Sequence, residues 1–472
     1  MLELDRQPEP QLSPFLRGNY APVSDELDTG ELPVTGTIPE ALAGAFMRNG
    51  PNPAFPPLGR YHLFDGDGMI HAVELAGGRA RYRNRFVESR GLLAERRAGR
   101  ALFGGLSEFV MPDPELASEV GLFKNTANTN VIRHAGRYLA LMEGCPPTEI
   151  TRDLRTIGEF DFDGRLVGAM TAHPKWDPLT GELLFFGYSP VPPFLRYHVA
   201  DATGCLVRSI ELDLPAPVMM HDFVVTERFA VFFDLPAVFD LSAMTSGGPF
   251  VRWEPSNGAR IGILPREATS GDEIRWFEIE PCYVFHFLNA WDDGTVVTVD
   301  GCRAPRLPIA FGDEQLDEPA HPVLHRWTVD LDRGVVTDEQ LDDRAGEFPR
   351  LNMHRSGMPN RYGYLAASAN WETDTVRFNG VVKYDLRSGR TTVHDFGEHA
   401  ESGEAVFAAD PEGSAEDDGW LLTFVYDRRN DTSDLVILDA RALDEEPVAR
   451  VHIPRRVPFG FHGNWMPDRG EA

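Results

Sequence analysis

Tyr283-Val284-Phe285-His286-Phe287-Leu288-Asn289-Ala290-Trp291 is followed by Asp293-Gly294 and then by Thr295-Val296-Val297-Thr298-Val299. Both runs are rich in β-branched and aromatic side chains, which fit a pleated, half-buried surface. Between them, Asp-Gly supplies residues that accept the positive φ of a tight turn, so the stretch reads as a β-hairpin. The same alternation recurs along the chain. Apolar runs at 138–142, 182–186, 229–233 and 420–425 are separated by Asp65-Gly66-Asp67-Gly68, Asp163-Gly164, Asp177-Pro178-Leu179-Thr180-Gly181, Ser388-Gly389 and Asp418-Gly419. Short strands at close spacing predict an all-β fold. A weaker repeat, strand then polar turn then strand, runs from Tyr197 to Gly204, from Trp327 to Gly334 and from Tyr384 to Gly389. Such repetition fits a β-propeller, whose blades are four-stranded sheets around an axis. The 44 Gly and 37 Pro are spread evenly, so no linker divides the chain. Amphipathic helices are expected at 92–102 and 236–244.

The hairpin also carries a histidine inside an apolar run, and three more stand in equally dense surroundings. They are His173 in Ala172-His173-Pro174-Lys175-Trp176-Asp177, His221 in Met220-His221-Asp222-Phe223, and His462 in Gly460-Phe461-His462-Gly463-Asn464-Trp465. A buried imidazole needs a polar partner, and a metal ion is one. Four imidazoles suit Fe, Zn, Cu or Ni. The gaps between these histidines are 48, 65 and 176 residues. At roughly 50–65 residues per blade, a little above common propeller repeats, they correspond to one, one and three blades. Residues from different blades would then converge on the axis. A lone histidine in a β-protein is more often a structural hydrogen-bonding residue. That reading is given to His134, His325, His394, His399 and His452 among the 14 in the chain.

Composition narrows the partners. The chain has 472 residues, 45 Lys+Arg against 73 Asp+Glu, and a net charge of −28, which argues against nucleic acid. The four cysteines, Cys145, Cys205, Cys282 and Cys302, form no CxxC pair. Neither a secretory leader nor a run of about 18 apolar residues is present, so a cytoplasmic location is expected.

Beyond the four histidine motifs, the chain contains Asn49-Gly50-Pro51-Asn52-Pro53, Tyr61-His62-Leu63-Phe64-Asp65-Gly66-Asp67-Gly68-Met69 and Thr126-Ala127-Asn128-Thr129-Asn130. It also contains Glu347-Phe348-Pro349-Arg350, and Gly403-Glu404 ahead of Glu416-Asp417-Asp418-Gly419-Trp420. Taken in this order, from about residue 30 to the end, they resemble the carotenoid cleavage oxygenases. These are non-haem iron enzymes that cut conjugated alkenes. The likeness is strongest to actinobacterial members, above all from Met142 to Tyr188. The resemblance implies a seven-bladed β-propeller with an apolar, partly helical cap over its top face, as one domain over 1–472 with 1–30 as an N-terminal extension.

The resemblance further implies Fe(II) held by His173, His221, His286 and His462. Glu143, Glu347 and Glu404 would orient three of the rings by accepting their outer N–H. Glu149 is the competitor of Glu143, which is preferred because it closes the Leu139-Ala140-Leu141-Met142 strand. Thr129 matches a position beside the open coordination site. Phe285, Phe287, Trp176 and Trp465 neighbour the ligands and are candidate tunnel walls. Stilbene-cleaving relatives hold the phenol with a Tyr and a Lys; the matching positions here are Leu106 and Met142. Both are apolar, which favours a carotenoid or apocarotenoid cleaved by O2 into two carbonyl products. A phenolic-alkene dioxygenase, an isomerase-hydrolase and a non-catalytic retinoid-binding or scaffold propeller are the alternatives. Pro190–Leu195 and Leu235–Phe239 are candidates for an apolar patch at the tunnel mouth, leaving a peripheral membrane contact open. The oligomeric state is unknown from sequence.

Overall fold

The computed structural model describes residues 13–243, 249–309, 311, 320–368, 375 and 377–468. Seven antiparallel sheets form the blades of a β-propeller, and within most of them strand order follows sequence order. The second blade is Asn130–His134, Arg137–Leu141, Thr148–Ile150 and Thr156–Glu159; the third is Lys175–Trp176, Leu183–Tyr188, Leu195–Ala200 and Leu206–Leu212. The fourth is Val224–Val225, Phe229–Asp234, Ala259–Pro265 and Arg275–Ile279. Tyr283–Asp292, the opening stretch of the sequence reading, pairs with Val296–Ala304 and starts the fifth blade. The sixth begins at Gly346–Arg350, and the seventh is built on Gly419–Asp427, Thr432–Asp439 and Ala449–Ile453.

Both chain ends close the ring. Gly463–Pro467 lies inside Gly44–Pro51 as the innermost strand of the first blade, and Val34–Gly36 pairs with Ala449–Ile453 at the outer edge of the seventh. Asp28–Glu31 is the outermost strand of the first blade. The interlock ties the two ends of the chain into neighbouring blades, and radial repetition leaves only short, protected sheet edges.

The turns show why these residues make these hairpins. Gly204, Gly334 and Gly389 have φ of 84°, 68° and 70°, the left-handed region that glycine enters without a Cβ penalty. Just ahead of each, an aspartate (Asp201, Asp330, Asp385) accepts backbone N–H groups of the turn. Adjacent blades pack through aromatic pairs. Phe186 meets Phe223 edge-on at 5.2 Å, and Tyr197 meets Phe232 at 5.9 Å, with all four rings buried. Each such ring contributes about 1.5–3 kcal/mol by leaving water.

Two α-helices are present among the described residues, Arg90–Ala98 and Pro114–Val120, both in the connection from the first blade to the second. The first matches the helix expected at 92–102; Ser89 caps its start and Gly99, at φ 67°, its end. The helix expected at 236–244 is not formed. Ala237–Phe239 is a strand paired with Val251–Trp253, and Met244 lies outside the described residues. Alternating Val238 and Phe239 beside a partner strand outweighed a marginal amphipathic pattern.

Candidate metal centre

The four histidines come from four blades and meet on the axis. His173 precedes the first strand of the third blade, and His221 that of the fourth. His286 lies within the first strand of the fifth, and His462 immediately precedes the closing strand of the first. The gap of 176 residues thus spans the sixth and seventh blades and the return to the first. All four rings are buried. Their Nε2 atoms stand 3.0 Å (His173 to His221), 3.2 Å (His221 to His286) and 3.1 Å (His286 to His462) apart.

The outer nitrogens fix what those Nε2 atoms are. His221 Nδ1 donates to Glu143 at 2.8 Å, His286 Nδ1 to Glu347 at 2.5 Å, and His462 Nδ1 to Glu404 at 2.9 Å. A neutral imidazole that gives its proton at Nδ1 has a lone pair at Nε2. Lone pairs crowded at 3 Å repel one another, and a cation between them turns that repulsion into ligation. With metal–nitrogen bonds of about 2.1 Å, ligands at right angles stand about 3.0 Å apart. The spacing and the all-nitrogen donor set therefore fit one divalent transition-metal ion.

The three glutamates are held differently. Glu347 Oε2 also accepts the Phe348 N–H at 2.5 Å, while its Oε1 is buried without a partner. Burial pushes its pKa up to about 8. Burial alone would raise Glu404 too, but the Arg350 guanidinium at 3.5 Å, the His462 N–H and the Gly463 N–H outweigh it and hold the carboxyl at about 2. Glu143 receives the Tyr188 hydroxyl as well as His221, and burial together with that carboxylate drives the phenol pKa well up. Glu149 points elsewhere, pairing with Arg137 at 2.7 Å.

Buried polar ties lock the ligand segments together. Lys175, two residues beyond His173, pairs at 2.7 Å with Asp222, the residue after His221. Asp222 also accepts the N–H of Phe287, the residue after His286, at 3.0 Å. Thr171 accepts the His173 N–H at 3.0 Å, the Thr129 carbonyl accepts that of His462 at 3.1 Å, and the Asn130 amide donates to Ala172 at 2.7 Å. Asn49 donates to the Ala127 and Asn130 carbonyls. The asparagine-rich motifs thus hold backbone near the axis that would otherwise carry unpaired groups. Roles for Lys175, Asp222, Tyr188 and Arg350 were absent from the sequence reading. The adjacency of Lys175 and Asp222 to two of the histidines was the available signal for them.

The centre opens on a cavity of about 500 Å³ that His221, His286 and His462 help to line. Thr129, Leu106 and Met142 also line it, with Phe64, Phe285 and Phe461. Thr129 turns its hydroxyl to Asn128 at 3.0 Å. Of the four expected aromatic wall residues, only Phe285 faces the cavity. Phe287 packs on Phe233 at 4.5 Å, Trp176 meets His354 edge-on, and Trp465 joins the packing of the first and seventh blades. Register irregularities on either side of Phe287 break the strict alternation of Tyr283–Asp292, so Phe285 and His286 reach the same space.

Residues 20–467 match the family model described as retinal pigment epithelial membrane protein. A carotenoid 9,10(9',10')-cleavage dioxygenase of Arabidopsis thaliana is 37% identical, over 95% of this chain and 89% of its own. A carotenoid cleavage oxygenase of Mycobacterium tuberculosis is also 37% identical, over 96% of this chain and 98% of its own. The crystal structure of a lignostilbene dioxygenase of Pseudomonas brassicacearum superposes with a TM-score of 0.90 at 32% identity, covering 98% of this chain and all of that one. The seven blades, the four-imidazole cluster on their axis and these likenesses converge, and the chain belongs to the family of carotenoid cleavage oxygenases.

Proposed function

We propose that the chain, as one catalytic unit, is an Fe(II)-dependent dioxygenase that cleaves one C=C bond of a carotenoid or apocarotenoid into two carbonyl products. The observation that carries this reading is the cluster of four imidazoles on the propeller axis, three of which stand on the wall of a mainly apolar cavity. His173, His221, His286 and His462 would hold the ion. Glu143, Glu347 and Glu404 would fix the tautomer and orientation of three of them. When bound, the iron supplies the capacity to activate dioxygen. Thr129 is small enough to leave room beside the centre, and its hydroxyl is turned to Asn128. Phe64, Phe285 and Phe461 would position the polyene by shape and exclude water. Leu106 and Met142 offer no charge or donor to a phenol, so a buried phenolate there would be unpaired and costly.

The likeness to a lignostilbene dioxygenase supports a second reading, a phenolic stilbene as substrate. Incubating iron-loaded protein with β-carotene, an apocarotenal and a 4-hydroxystilbene separates the two. Cleavage of the stilbene alone would transfer the assignment to the phenolic branch.

The polyene must be taken from a lipid phase. Met111, Leu122, Phe123 and Val191 are 59%, 44%, 42% and 53% exposed. Leu122, Phe123 and Pro190 also line the cavity, so an apolar rim surrounds one end of it. Among the described residues no helix is long and apolar enough to cross a membrane. We read the rim as a peripheral contact with neutral lipid, since a charge of −28 disfavours an anionic surface. Flotation with phosphatidylcholine vesicles, lost in Phe123→Glu, tests it.

A further inference from the structure

His62 lies on the cavity wall and is 5% exposed, yet only one of its ring nitrogens is used. Nδ1 accepts the Phe64 N–H at 3.2 Å, which puts the ring proton on Nε2. No partner of Nε2 is found among the described residues. The ring itself is fixed on three sides. It stacks on Phe311 with centroids 4.9 Å apart and meets Phe64 at 4.7 Å and Phe15 at 5.8 Å, both edge-on. Several neighbouring polar groups of the same wall are engaged. Lys124 pairs with Asp67 and Glu95 at 2.5 Å each, Asp65 accepts the His62 and Leu106 N–H groups, and the Asn128 amide donates to the Phe64 and Gly66 carbonyls. A rigid N–H donor is thus set among aromatic rings. Burial lowers the His62 pKa to about 4, so the ring is neutral at pH 7.

A donor facing the cavity is cut off from water once an apolar chain fills it; left without an acceptor there it is costly, and a site built around one rejects ligands that lack the matching group. Phe64 meets Phe461 at 5.5 Å, and Phe461 precedes His462, so apolar wall runs from His62 to the metal centre. We propose that His62 Nε2–H is a specificity determinant that binds an oxygen acceptor at one end of the polyene. The substrate is then an oxygenated carotenoid or apocarotenoid, bearing a ketone, aldehyde or hydroxyl, rather than a hydrocarbon carotene. This rests on the polyene-cleavage reading above.

The test compares kcat/KM of the iron-loaded protein for β-carotene with that for its 4,4′-diketo and 3,3′-dihydroxy derivatives. The wild type should favour the oxygenated pair by roughly 10–100-fold. His62→Asn keeps an acceptor where Nδ1 sits but draws its amide N–H back from the Nε2 position, out of reach of the same acceptor, so the preference should fall to near parity. His62→Gln places an amide N–H where Nε2–H sits and should keep most of the preference, even with the turn less well capped. The wild-type ratio needs no variant to fold. Equal efficiency on hydrocarbon and oxygenated carotenoids overturns the His62 assignment while leaving polyene cleavage intact. A preference that survives His62→Asn unchanged does the same. Cleavage of neither class overturns the reaction assignment and takes the His62 proposal with it.

Discussion

Replacing Glu404 by Gln should damage the centre more than the same change at Glu347, and the hydrogen bonds say why. Both oxygens of Glu404 accept: Oε1 from His462 and Arg350, Oε2 from Gly463. An amide has one acceptor and one donor end, so either orientation points its NH2 at an existing N–H. One buried donor left unpaired costs about 1–3 kcal/mol. Arg350, with a side chain only 14% exposed, also loses its carboxylate. Glu347 uses only Oε2, for both His286 and Phe348, and its other oxygen already lacks a partner. An amide oxygen can take over both contacts, much as the protonated acid would. The expected result is a loss of metal affinity of roughly 10–100-fold in Glu404→Gln, together with a stability loss of about 1–3 kcal/mol. Glu347→Gln should lie at the low end of the affinity loss with stability nearly unchanged. Competition titration with a chelator and Co(II), paired with urea denaturation of the metal-free proteins, reads both quantities. A larger stability loss in Glu347→Gln than in Glu404→Gln would refute the reasoning.

Other outcomes follow from the same geometry. Glu143→Gln should weaken metal binding, whereas Glu149→Gln, whose carboxylate pairs with Arg137 and not with a ligand histidine, should leave it unchanged; the titration just described ranks them. Met142→Lys places a desolvated cation on the cavity wall and should lower polyene turnover at least tenfold, with wild-type kcat/KM contradicting Met142 as a wall residue. Acidification should destabilise the fold. Burial lowers both His62 and His198 to about 4, so between pH 6.5 and 4 the unfolded chain binds protons that the folded one does not. Stability therefore rises with pH across that window, by up to about 1.4 kcal/mol per unit for each histidine. His198→Gln should flatten the slope in urea denaturation at pH 4.5–6.5.

The parts legible in the sequence were those written locally. Asp-Gly turns and β-branched runs announce hairpins, and blade length turns the spacing of His173, His221, His286 and His462 into convergence on an axis. The outer carboxylates were reachable only through the family resemblance, because Glu143, Glu347 and Glu404 come from blades other than those of the histidines they hold. Adjacency to a ligand misled at Phe287, since the irregular register around it is set by pairing with Val296–Ala304 and leaves no mark in the run itself. The helix expected at 236–244 failed for a related reason: its competitor, Val251–Trp253, lies beyond the segment. Tyr188 and Arg350 gained meaning only once Glu143 and Glu404 had positions.

The central claim is that an iron ion held by these four histidines lets the protein split an alkene with both atoms of one dioxygen. Iron-loaded protein should be given an oxygenated carotenoid under 18O2, with the aldehyde products trapped by reduction and weighed by mass spectrometry. The account predicts one 18O in each product and one O2 consumed per bond cleaved. Products carrying oxygen only from water, or full turnover in His286→Ala, would contradict it.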